Sequence, residues 1–309
     1  MDVDSEAWRK EYPFDSHFLD VDGARMHYVD EGRGPAIVLL HGNPTWSFHF
    51  RTLIRALRTR WRVIAPDHIG CGLSDKPQTY DYTLATHIRN LGRLLDHLRP
   101  GNVTLAVHDW GGAIGLGWAV THPGRVSRLV LFNTTAFLGP CPLRIRVCRT
   151  FVLGDLMVRG FNVFVRAALR MAPVRSRPIP PQVRAGYLRP YDNWANRVAV
   201  LRFVRDIPLR AAQPSFEIVN SIDRSLATLR GRPVLILWGA RDFCFHDGYL
   251  QEWRIRFPEA RVHRFPDAGH FVVEDASTEI LPILEGFLSE ADAPSASSRA
   301  GLSSFPVPT

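Results

Sequence analysis

One stretch of this chain, residues 103–112, constrains the fold more than any other because it joins a buried strand to a helix through one acidic residue. The mostly apolar run Val103–Val107 ends at His108 and Asp109, and Trp110 and two glycines follow. A tight strand-to-helix turn of this kind holds one side chain up into a pocket. A carboxylate there is already anionic, so it attacks carbon and leaves an ester or an anhydride on the enzyme. The alternative is that Asp109 only caps the following helix.

Two further polar residues follow later predicted strands in the same way. The buried run Val234–Trp238 is followed shortly by Asp242, and Arg261–Phe265 leads to His270 through a glycine that frees the turn. The chain order is therefore nucleophile, acid and base, each just past the end of a strand. We predict that Asp109, Asp242 and His270 form a catalytic triad in which the acid orients the imidazole.

A loop near the start of the chain completes the predicted site. The strand-like run Ala36–Leu40 is followed by His-Gly-Asn-Pro at residues 41–44. In this arrangement the loop supplies one N–H donor for developing negative charge, and the residue after the nucleophile, Trp110, supplies another. Three further histidines near the pocket are expected to be structural rather than second bases: His41, His68 and His108.

Composition limits the class of protein. At 309 residues, 46% hydrophobic and 22% charged, the chain is typical of a globular protein with one full core and an insertion. Its first residues lack the features of a secretory signal, and no apolar run reaches the roughly 18 residues of a membrane span. The four cysteines have neither paired nor metal-type spacing. We therefore expect a cytoplasmic protein without a disulfide framework, a metal site or a cofactor.

Strands and helices alternate along most of the chain, which indicates an α/β fold with a mostly parallel sheet of eight strands, the first two forming a hairpin. The alternation breaks after the sixth strand, where the chain is helical in pattern, rich in arginine and punctuated by prolines. We predict a helical cap at residues 134–230, inserted into a core of residues 1–133 and 231–290. The Ser-, Ala- and Pro-rich residues 291–309 are expected to be disordered.

The net charge of +8 is unevenly distributed. Between Leu138 and Arg232 there are seventeen arginines and five acidic residues. In Arg144–Met171 the arginines are interleaved with apolar residues, which predicts helices that bury an apolar face over the pocket and expose a basic one. Peripheral membrane contact is one interpretation. Another is a genome that uses arginine for lysine, since only Lys10 and Lys76 occur. A nucleic-acid partner is not expected.

Three motifs give the chain a resemblance to a known family: residues 41–46 (HGNPTW), 67–77 (DHIGCGLSDKP) and 108–112 (HDWGG). They resemble α/β-hydrolases of the haloalkane dehalogenase type, and the similarity extends over nearly the whole chain. In that family two N–H donors, here Asn43 and Trp110, hold the leaving halide. Because Asn133 after the sixth strand is not a carboxylate, Asp242 takes the role of the acid, as in the third dehalogenase subfamily.

Other segments resemble the β-lactone decarboxylases of bacterial long-chain olefin biosynthesis more closely. These are residues 80–84, 190–194, 206–209 and 238–245. The resemblance implies that the enzyme opens a cis-dialkyl β-lactone and releases CO₂ and a cis-alkene, without a cofactor. In some relatives this unit is fused to the lactone-forming ligase, so a separate ligase or a thiolase-like enzyme is the expected neighbour.

Several alternatives stay open from sequence. Attack by Asp109 at the ring C–O carbon frees a carboxylate, whereas attack at the carbonyl gives an anhydride, and the residues do not choose between them. A haloalkane dehalogenase is the second hypothesis. Epoxide hydrolase is disfavoured because Asn43 stands where those enzymes carry an aromatic residue, although Tyr187 and Tyr191 lie in the predicted cap. A non-catalytic module is the third, and an intact triad argues against it.

Overall fold

An eight-stranded sheet forms the centre of the structure, a computed structural model that describes residues 7–290. Its strands lie in the order β1-β2-β4-β3-β5-β6-β7-β8. β1 pairs antiparallel with β2, β2 pairs antiparallel with β4, and the remaining neighbours are parallel. The predicted α/β class and mostly parallel sheet are confirmed. The strands are β1 His17–Val21, β2 Ala24–Glu31, β3 Ala36–Leu40, β4 Arg62–Pro66, β5 Val103–Asp109, β6 Val126–Thr134, β7 Val234–Gly239 and β8 Arg261–Phe265.

The central strands are apolar at nearly every position because helices cover both faces of the sheet. Successive side chains point to opposite faces, so each strand contributes to two separate cores. In β3, Leu39 packs in one core and Leu40 in the other. In β6, Phe132 and Leu131 divide in the same way. Because β5, β6 and β7 are parallel, their carboxyl ends meet at one edge of the sheet, and ligands bind at this edge in open α/β sheets.

Ten α-helices surround the sheet within the described residues. α2 and α3 pack against each other, and α8 packs against both of them. The helices are α1 Arg51–Leu57, α2 Leu84–Leu98, α3 Trp110–Thr121, α4 Leu143–Cys148, α5 Val163–Met171, α6 Pro181–Leu188, α7 Val198–Asp206, α8 Pro214–Ser225, α9 Asp247–Arg256 and α10 Val272–Ser289, with a π-helical turn at Asp155–Gly160. Five of these helices, α4–α8, lie between β6 and β7, where the sequence predicts the insertion.

The predicted domain boundaries stay a prediction. β6 continues through Thr134, and α8 packs on α2 and α3, whereas α4, the π-helical turn and α7 contact one another. The predicted disordered tail, residues 291–309, lies outside the described residues. Within residues 7–290, no helix combines the length and apolar character needed to cross a bilayer.

The outer surface of the basic segment Arg144–Met171 differs from the expectation. It was predicted to expose only a basic face, but it exposes large apolar side chains together with arginines. The difference arises because the segment folds as short helices and turns, whose apolar residues are too numerous to fit on one inward face. The exposed apolar side chains are Leu143, Val147, Phe151, Val152, Leu153, Leu156 and Phe161.

Candidate active site

The turn at the end of β5 holds Asp109 in a strained conformation. Its backbone has φ +52° and ψ −124°, which a residue with a side chain rarely adopts. Two glycines allow the close packing that keeps it there. A Cβ on Gly111 would lie 2.1 Å from the carbonyl oxygen of Leu40, and one on Gly112 would lie 1.9 Å from Oγ1 of Thr134. That hydroxyl donates a 2.5 Å hydrogen bond to the carbonyl of Asp109, which fixes the turn.

The structure places the three residues of the predicted triad side by side. Nδ1 of His270 lies 2.7 Å from Oδ2 of Asp242, and Nε2 lies 3.7 Å from Oδ2 of Asp109. All three residues are buried, with Asp109 only 8% exposed. The imidazole therefore stands between two carboxylates, one that orients it and one that it faces across the pocket. Their catalytic roles stay predictions.

Burial and the neighbouring charges give the two facing groups raised pKa values. Burial raises the pKa of the Asp109 carboxyl, although His270 and the backbone N–H groups of Asn43 and Trp110 oppose the shift. Burial alone lowers the pKa of His270, but the charge and hydrogen bond of Asp242 and the charge of Asp109 outweigh it, so that pKa is raised. The carboxyl group of Asp109 thus faces an imidazole whose protonated form is favoured by the two neighbouring acidic residues.

The N–H donors hold the nucleophile itself, which the sequence did not predict. The backbone N–H of Asn43 donates a 2.6 Å hydrogen bond to Oδ1 of Asp109, and the backbone N–H of Trp110 donates to the same carboxylate. One carboxylate oxygen is thereby fixed while Oδ2 faces His270. In the structure, the backbone N–H of Asn43 that is predicted to hold charge on the substrate contacts the carboxylate of Asp109, and its role towards the substrate stays a prediction. The side chains of Asn43 and Trp110 line the cavity and remain the candidates for substrate contact.

The Asn43 side chain also links the pocket to the inserted helices. Its Nδ2 donates a 3.1 Å hydrogen bond to the carbonyl oxygen of Val200 in α7. Within residues 7–290, its Oδ1 is buried without a hydrogen-bond partner. The amide nitrogen retains a second N–H, which is the group available to an anion in the cavity.

Asn133 has a function that the sequence did not reveal. Its Nδ2 donates 3.0 Å hydrogen bonds to Oδ2 of Asp242 and to the carbonyl of Gly239, while its Oδ1 accepts one of 2.7 Å from the N–H of Gly239. The other oxygen of Asp242 accepts a 2.6 Å bond from the N–H of Cys244. Asn133 thus fixes the acid from the neighbouring strand. Its position at the carboxyl end of β6, beside the predicted site, is the sequence signal for this role.

Replacing Asn133 by alanine is expected to lower the free energy of unfolding by about 2–4 kcal/mol, because buried groups of Gly239 and Asp242 lose their partners. Urea titration measures this change. The exposed Asn102 is the matched control, and Asn102→Ala should shift stability by no more than about 0.5 kcal/mol. Equal, small effects of both substitutions would show that the Asn133 network contributes little.

The three histidines expected to be structural are buried outside the cavity lining. His41 accepts a 3.0 Å hydrogen bond from the backbone N–H of His68, and the ring of His68 contacts the carbonyl of His41. Nε2 of His108 lies 2.9 Å from the carbonyl of His270. Burial, reinforced by His270, holds the pKa of His108 well below its usual value. The neutral ring therefore supports the loop of the triad base and does not compete as a base.

A second acidic residue, Asp275, anchors the loop that carries His270. Its carboxylate accepts hydrogen bonds from the N–H of Gly269 at 2.7 Å and from those of Val174 and Ser176 at 2.8 Å each. Asp275 lies in the first turns of α10, next to a backbone kink at Ala276. One buried carboxylate thereby connects the base loop to the inserted segment.

A cavity of about 280 Å³ opens onto Asp109 and His270. Nearly all of its remaining walls are apolar, which suits a hydrophobic substrate and keeps water scarce around the carboxylate. α4, α5 and the segments after β6 and β7 supply much of the wall, and the loops after β3 and β8 and parts of several other helices supply the rest. The apolar lining includes Phe137, Leu138, Ile145, Met157, Phe164, Met171, Val204, Ile207, Phe243, Phe245 and Phe271.

Three aromatic residues of the insertion lie elsewhere. Tyr187 donates a 2.5 Å hydrogen bond to Glu274, and Tyr191 donates one of 3.3 Å to the carbonyl of Thr45. Trp194 is 45% exposed. Neither of these two tyrosines is among the described residues that line the cavity, and Tyr249, which does line it, donates its hydroxyl in a 2.7 Å hydrogen bond to the carbonyl of Pro140. Residues 7–290 also contain no cluster of His, Cys, Asp and Glu placed to hold a metal ion.

A model of the alpha/beta hydrolase fold matches residues 35–277. Together with the sheet order and the strained turn at Asp109, this match shows that the chain belongs to the α/β-hydrolase family. Within that family its relatives are haloalkane dehalogenase-like enzymes. The haloalkane dehalogenase DatA from Agrobacterium tumefaciens is 28% identical in sequence and superposes with a TM-score of 0.81 over 89% of this chain and 96% of that one.

Proteins that are similar in sequence narrow the class of enzyme further. The cis-3-alkyl-4-alkyloxetan-2-one decarboxylase of Shewanella oneidensis is 45% identical over 91% of this chain and 90% of that protein. The enzyme of the same name from Xanthomonas campestris is 44% identical over 90% of this chain and 97% of that protein. Haloalkane dehalogenase 2 of Mycobacterium tuberculosis is 35% identical over 93% of this chain and all of that protein. This chain is thus an α/β-hydrolase-fold enzyme.

Proposed function

We propose that the enzyme converts cis-3,4-dialkyl β-lactones to cis-alkenes and CO₂, with Asp109 as the nucleophile. The observation that carries this proposal is a buried carboxyl group, that of Asp109, facing the imidazole of His270 at the end of an apolar cavity of about 280 Å³. The cavity suits two alkyl chains better than a polar substrate. The 44–45% identity to two oxetan-2-one decarboxylases supports the same substrate class.

In the first step Oδ2 of Asp109 attacks the ring carbon that bears oxygen, C4 of the lactone. The new O–C4 bond forms as the C4–O ring bond breaks, which frees a carboxylate on C3. The Asn43 amide and the Trp110 indole are the cavity-lining N–H donors for that carboxylate. The backbone N–H of Asn43 keeps Oδ1 of Asp109 in place during the attack.

In the second step the C3–carboxylate bond breaks and its electrons form the C3=C4 double bond. CO₂ departs, the C4–O bond to Asp109 breaks, and the carboxylate of Asp109 is regenerated without water. A carboxylate loses CO₂ more readily where water is scarce, as in this cavity. His270, held by Asp242, stabilises the departing Asp109 carboxylate as negative charge returns to it.

Atom balance favours this route over attack at the carbonyl. Both oxygens of CO₂ come from the lactone when C4 is attacked. Attack at the carbonyl leaves the ring oxygen on C4, so CO₂ and an alkene form only if that oxygen is expelled. The backbone donors that would hold a carbonyl oxyanion are also engaged by Asp109. Inversion at C4 followed by anti loss of CO₂ gives a cis-alkene from a cis-lactone, which matches the proposed product.

The proposed substrate class also implies a partner enzyme that makes the lactone. A long-chain β-lactone is reactive and poorly soluble in water, so we infer that a separate lactone-forming enzyme, a ligase or a thiolase-like protein, works close to this one. The apolar cavity is consistent with transfer of such a molecule without release into water.

Hydrolysis of haloalkanes is the second candidate, because the geometry of the triad also suits it. Displacement of halide by Asp109 would give an ester, and His270 oriented by Asp242 would activate water to cleave it. The 35% identity to haloalkane dehalogenase 2 favours this alternative, but less than the relatives at 44–45% favour the lactone reaction.

The two functions predict opposite pH profiles. Decarboxylation uses protonated His270, so kcat should fall as the pH rises through the raised pKa of that imidazole. Hydrolysis of an alkyl ester uses neutral His270, so its kcat should rise over the same interval. Both activities should be lost at low pH, as Asp109 is protonated below its raised pKa. The measurement is kcat against pH with each substrate. A lactone profile that rises with pH would contradict the role given to the imidazolium.

Product analysis tests the proposed function. The purified protein is incubated with a long-chain cis-dialkyl β-lactone, and the organic products are separated by gas chromatography. The proposal predicts cis-alkene in an amount equal to the lactone consumed. Formation of the 3-hydroxy acid instead would show that the enzyme hydrolyses the lactone, and recovery of unchanged lactone would exclude it as a substrate.

A further inference from the structure

Seven of the ten large apolar side chains that are exposed among residues 7–290 lie between Leu143 and Phe161. We call them the apolar strip. Phe151 is 84% exposed, Leu143 74% and Phe161 71%. Isolated exposed apolar residues are ordinary, but a cluster of large ones on one surface marks an interaction site. The strip consists of Leu143, Val147, Phe151, Val152, Leu153, Leu156 and Phe161.

Positive charge accompanies the apolar strip. Six arginines lie between Arg144 and Arg170, and Asp155 is the single acidic residue in that interval. Asp155 pairs with Arg205 of α7. Within residues 7–290, none of the six forms an ion pair with an acid. Arg144 lines the cavity and Arg149 donates to backbone carbonyls of the insertion. The exposed arginines available to a ligand outside the fold are Arg146, Arg166 and Arg170. Apolar side chains flanked by unneutralised arginines are typical of surfaces that lie in the interface of a bilayer and attract anionic lipid.

The same segment also forms a wall of the cavity. Ile145, Cys148 and Met157 line it, while Val147, Phe151 and the rest of the apolar strip point outward. Only one layer of short helices and turns therefore separates the apolar strip from the cavity. An apolar molecule dissolved in a bilayer below this surface would reach the cavity by a short path.

We propose that the apolar strip is a docking surface for an anionic lipid bilayer. The exposed aromatic and aliphatic side chains enter the boundary between headgroups and acyl chains, and the arginines contact the phosphates. Binding then depends on both parts of the surface, so it weakens with salt and with loss of the apolar tips. Uptake of the lactone from the bilayer rests on the proposed function, whereas docking itself does not.

Vesicle sedimentation tests the docking surface without any substrate. The probes are vesicles of phosphatidylcholine alone and of equal parts phosphatidylcholine and phosphatidylglycerol. The full chain is compared with the double variant Phe151→Ser/Leu153→Ser. Neither residue lines the cavity, so folding and turnover of a detergent-dissolved substrate should be retained. The matched control is Phe18→Ser/Ile255→Ser, which removes two exposed apolar side chains from other surfaces, 46% and 67% exposed.

The proposal predicts that the wild-type chain and the control bind the anionic vesicles and that the strip variant binds at least about tenfold more weakly. Binding to vesicles of phosphatidylcholine alone should be weaker. Equal binding of strip variant and control would overturn the proposal. Failure of the wild-type chain to bind either vesicle would also overturn it and would indicate a protein as the occupant of the apolar strip. Because no lactone is present, either failure leaves the proposed reaction untouched.

Discussion

Replacing Asp109 by alanine is expected to reduce kcat more than a hundredfold, which corresponds to roughly 2.7 kcal/mol of barrier. The side chain is the nucleophile in both candidate reactions, and the strained turn presents no other group at that position. Substitution by asparagine should have a similar effect because an amide cannot replace the attacking oxygen. The measurement is kcat with a long-chain cis-β-lactone.

Loss of activity on replacing Asp109 should not reflect unfolding. Its pKa is raised in the folded state, so its ionised form costs stability at every pH above that value, and the alanine variant should melt at the same or a higher temperature near neutral pH. The exposed Asp96 is the control, and Asp96→Ala should retain activity. More than about a hundredth of wild-type kcat in a folded Asp109→Ala variant would show that another group is the nucleophile.

Replacing His270 by glutamine is expected to lower kcat by about 10²–10³ and to let a covalent adduct accumulate. Attack by Asp109 needs only its own carboxylate, whereas departure of that carboxylate is assisted by the imidazolium 3.7 Å away. With the lactone, the protein mass should increase by the mass of the whole lactone, and the increase should map to the peptide that contains Asp109. Mass spectrometry after rapid quenching measures this.

The exposed His263 on β8 is the matched control for that experiment, and His263→Gln should turn over normally without an adduct. The mass of the adduct also shows whether CO₂ leaves before the bond to Asp109 breaks or at the same time. An adduct that has lost CO₂ before Asp109 departs would contradict simultaneous breaking of the two bonds. A His270→Gln variant with wild-type kcat would remove His270 from the mechanism.

The sequence was sufficient to predict the sheet because the central strands are short apolar runs, buried on both faces, and the edge strands are bounded by turn residues. The four strands bounded from sequence, at residues 36–40, 103–107, 234–238 and 261–265, agree with β3, β5, β7 and β8 to within about two residues. The three triad residues follow from their positions at or after the carboxyl ends of β5, β7 and β8. Periodicity failed where a polar residue has a tertiary role. Apolar periodicity alone predicts a helix over residues 280–288, but α10 begins at Val272. Its first turns contain the buried Asp275, which accepts hydrogen bonds from the backbone N–H groups of Val174, Ser176 and Gly269.

The parts of the site that sequence missed are hydrogen bonds between elements. Asn133 was noted only as lacking a charge, since its contact with Asp242 crosses from β6 to the loop after β7. The backbone N–H groups of Asn43 and Trp110 were assigned to the substrate because their motifs do not show that the carboxylate of Asp109 reaches them first. The sequence also did not predict the exposed apolar strip. The spacing of Arg and apolar residues indicates a buried and an exposed face only where the segment forms one continuous helix, and this segment forms several short ones.

The most direct test of this account compares kcat/KM of the wild-type enzyme for long-chain cis-dialkyl β-lactones with that for bromoethane. Each CH₂ buried in the apolar cavity contributes about 0.8 kcal/mol, close to a fourfold gain, until the cavity is filled. The account predicts that kcat/KM rises steeply with alkyl length and exceeds that for the two-carbon bromide by several orders of magnitude, with cis-alkene as the product. Comparable values for the two substrates, with bromide released, would contradict it and assign the enzyme to haloalkane hydrolysis.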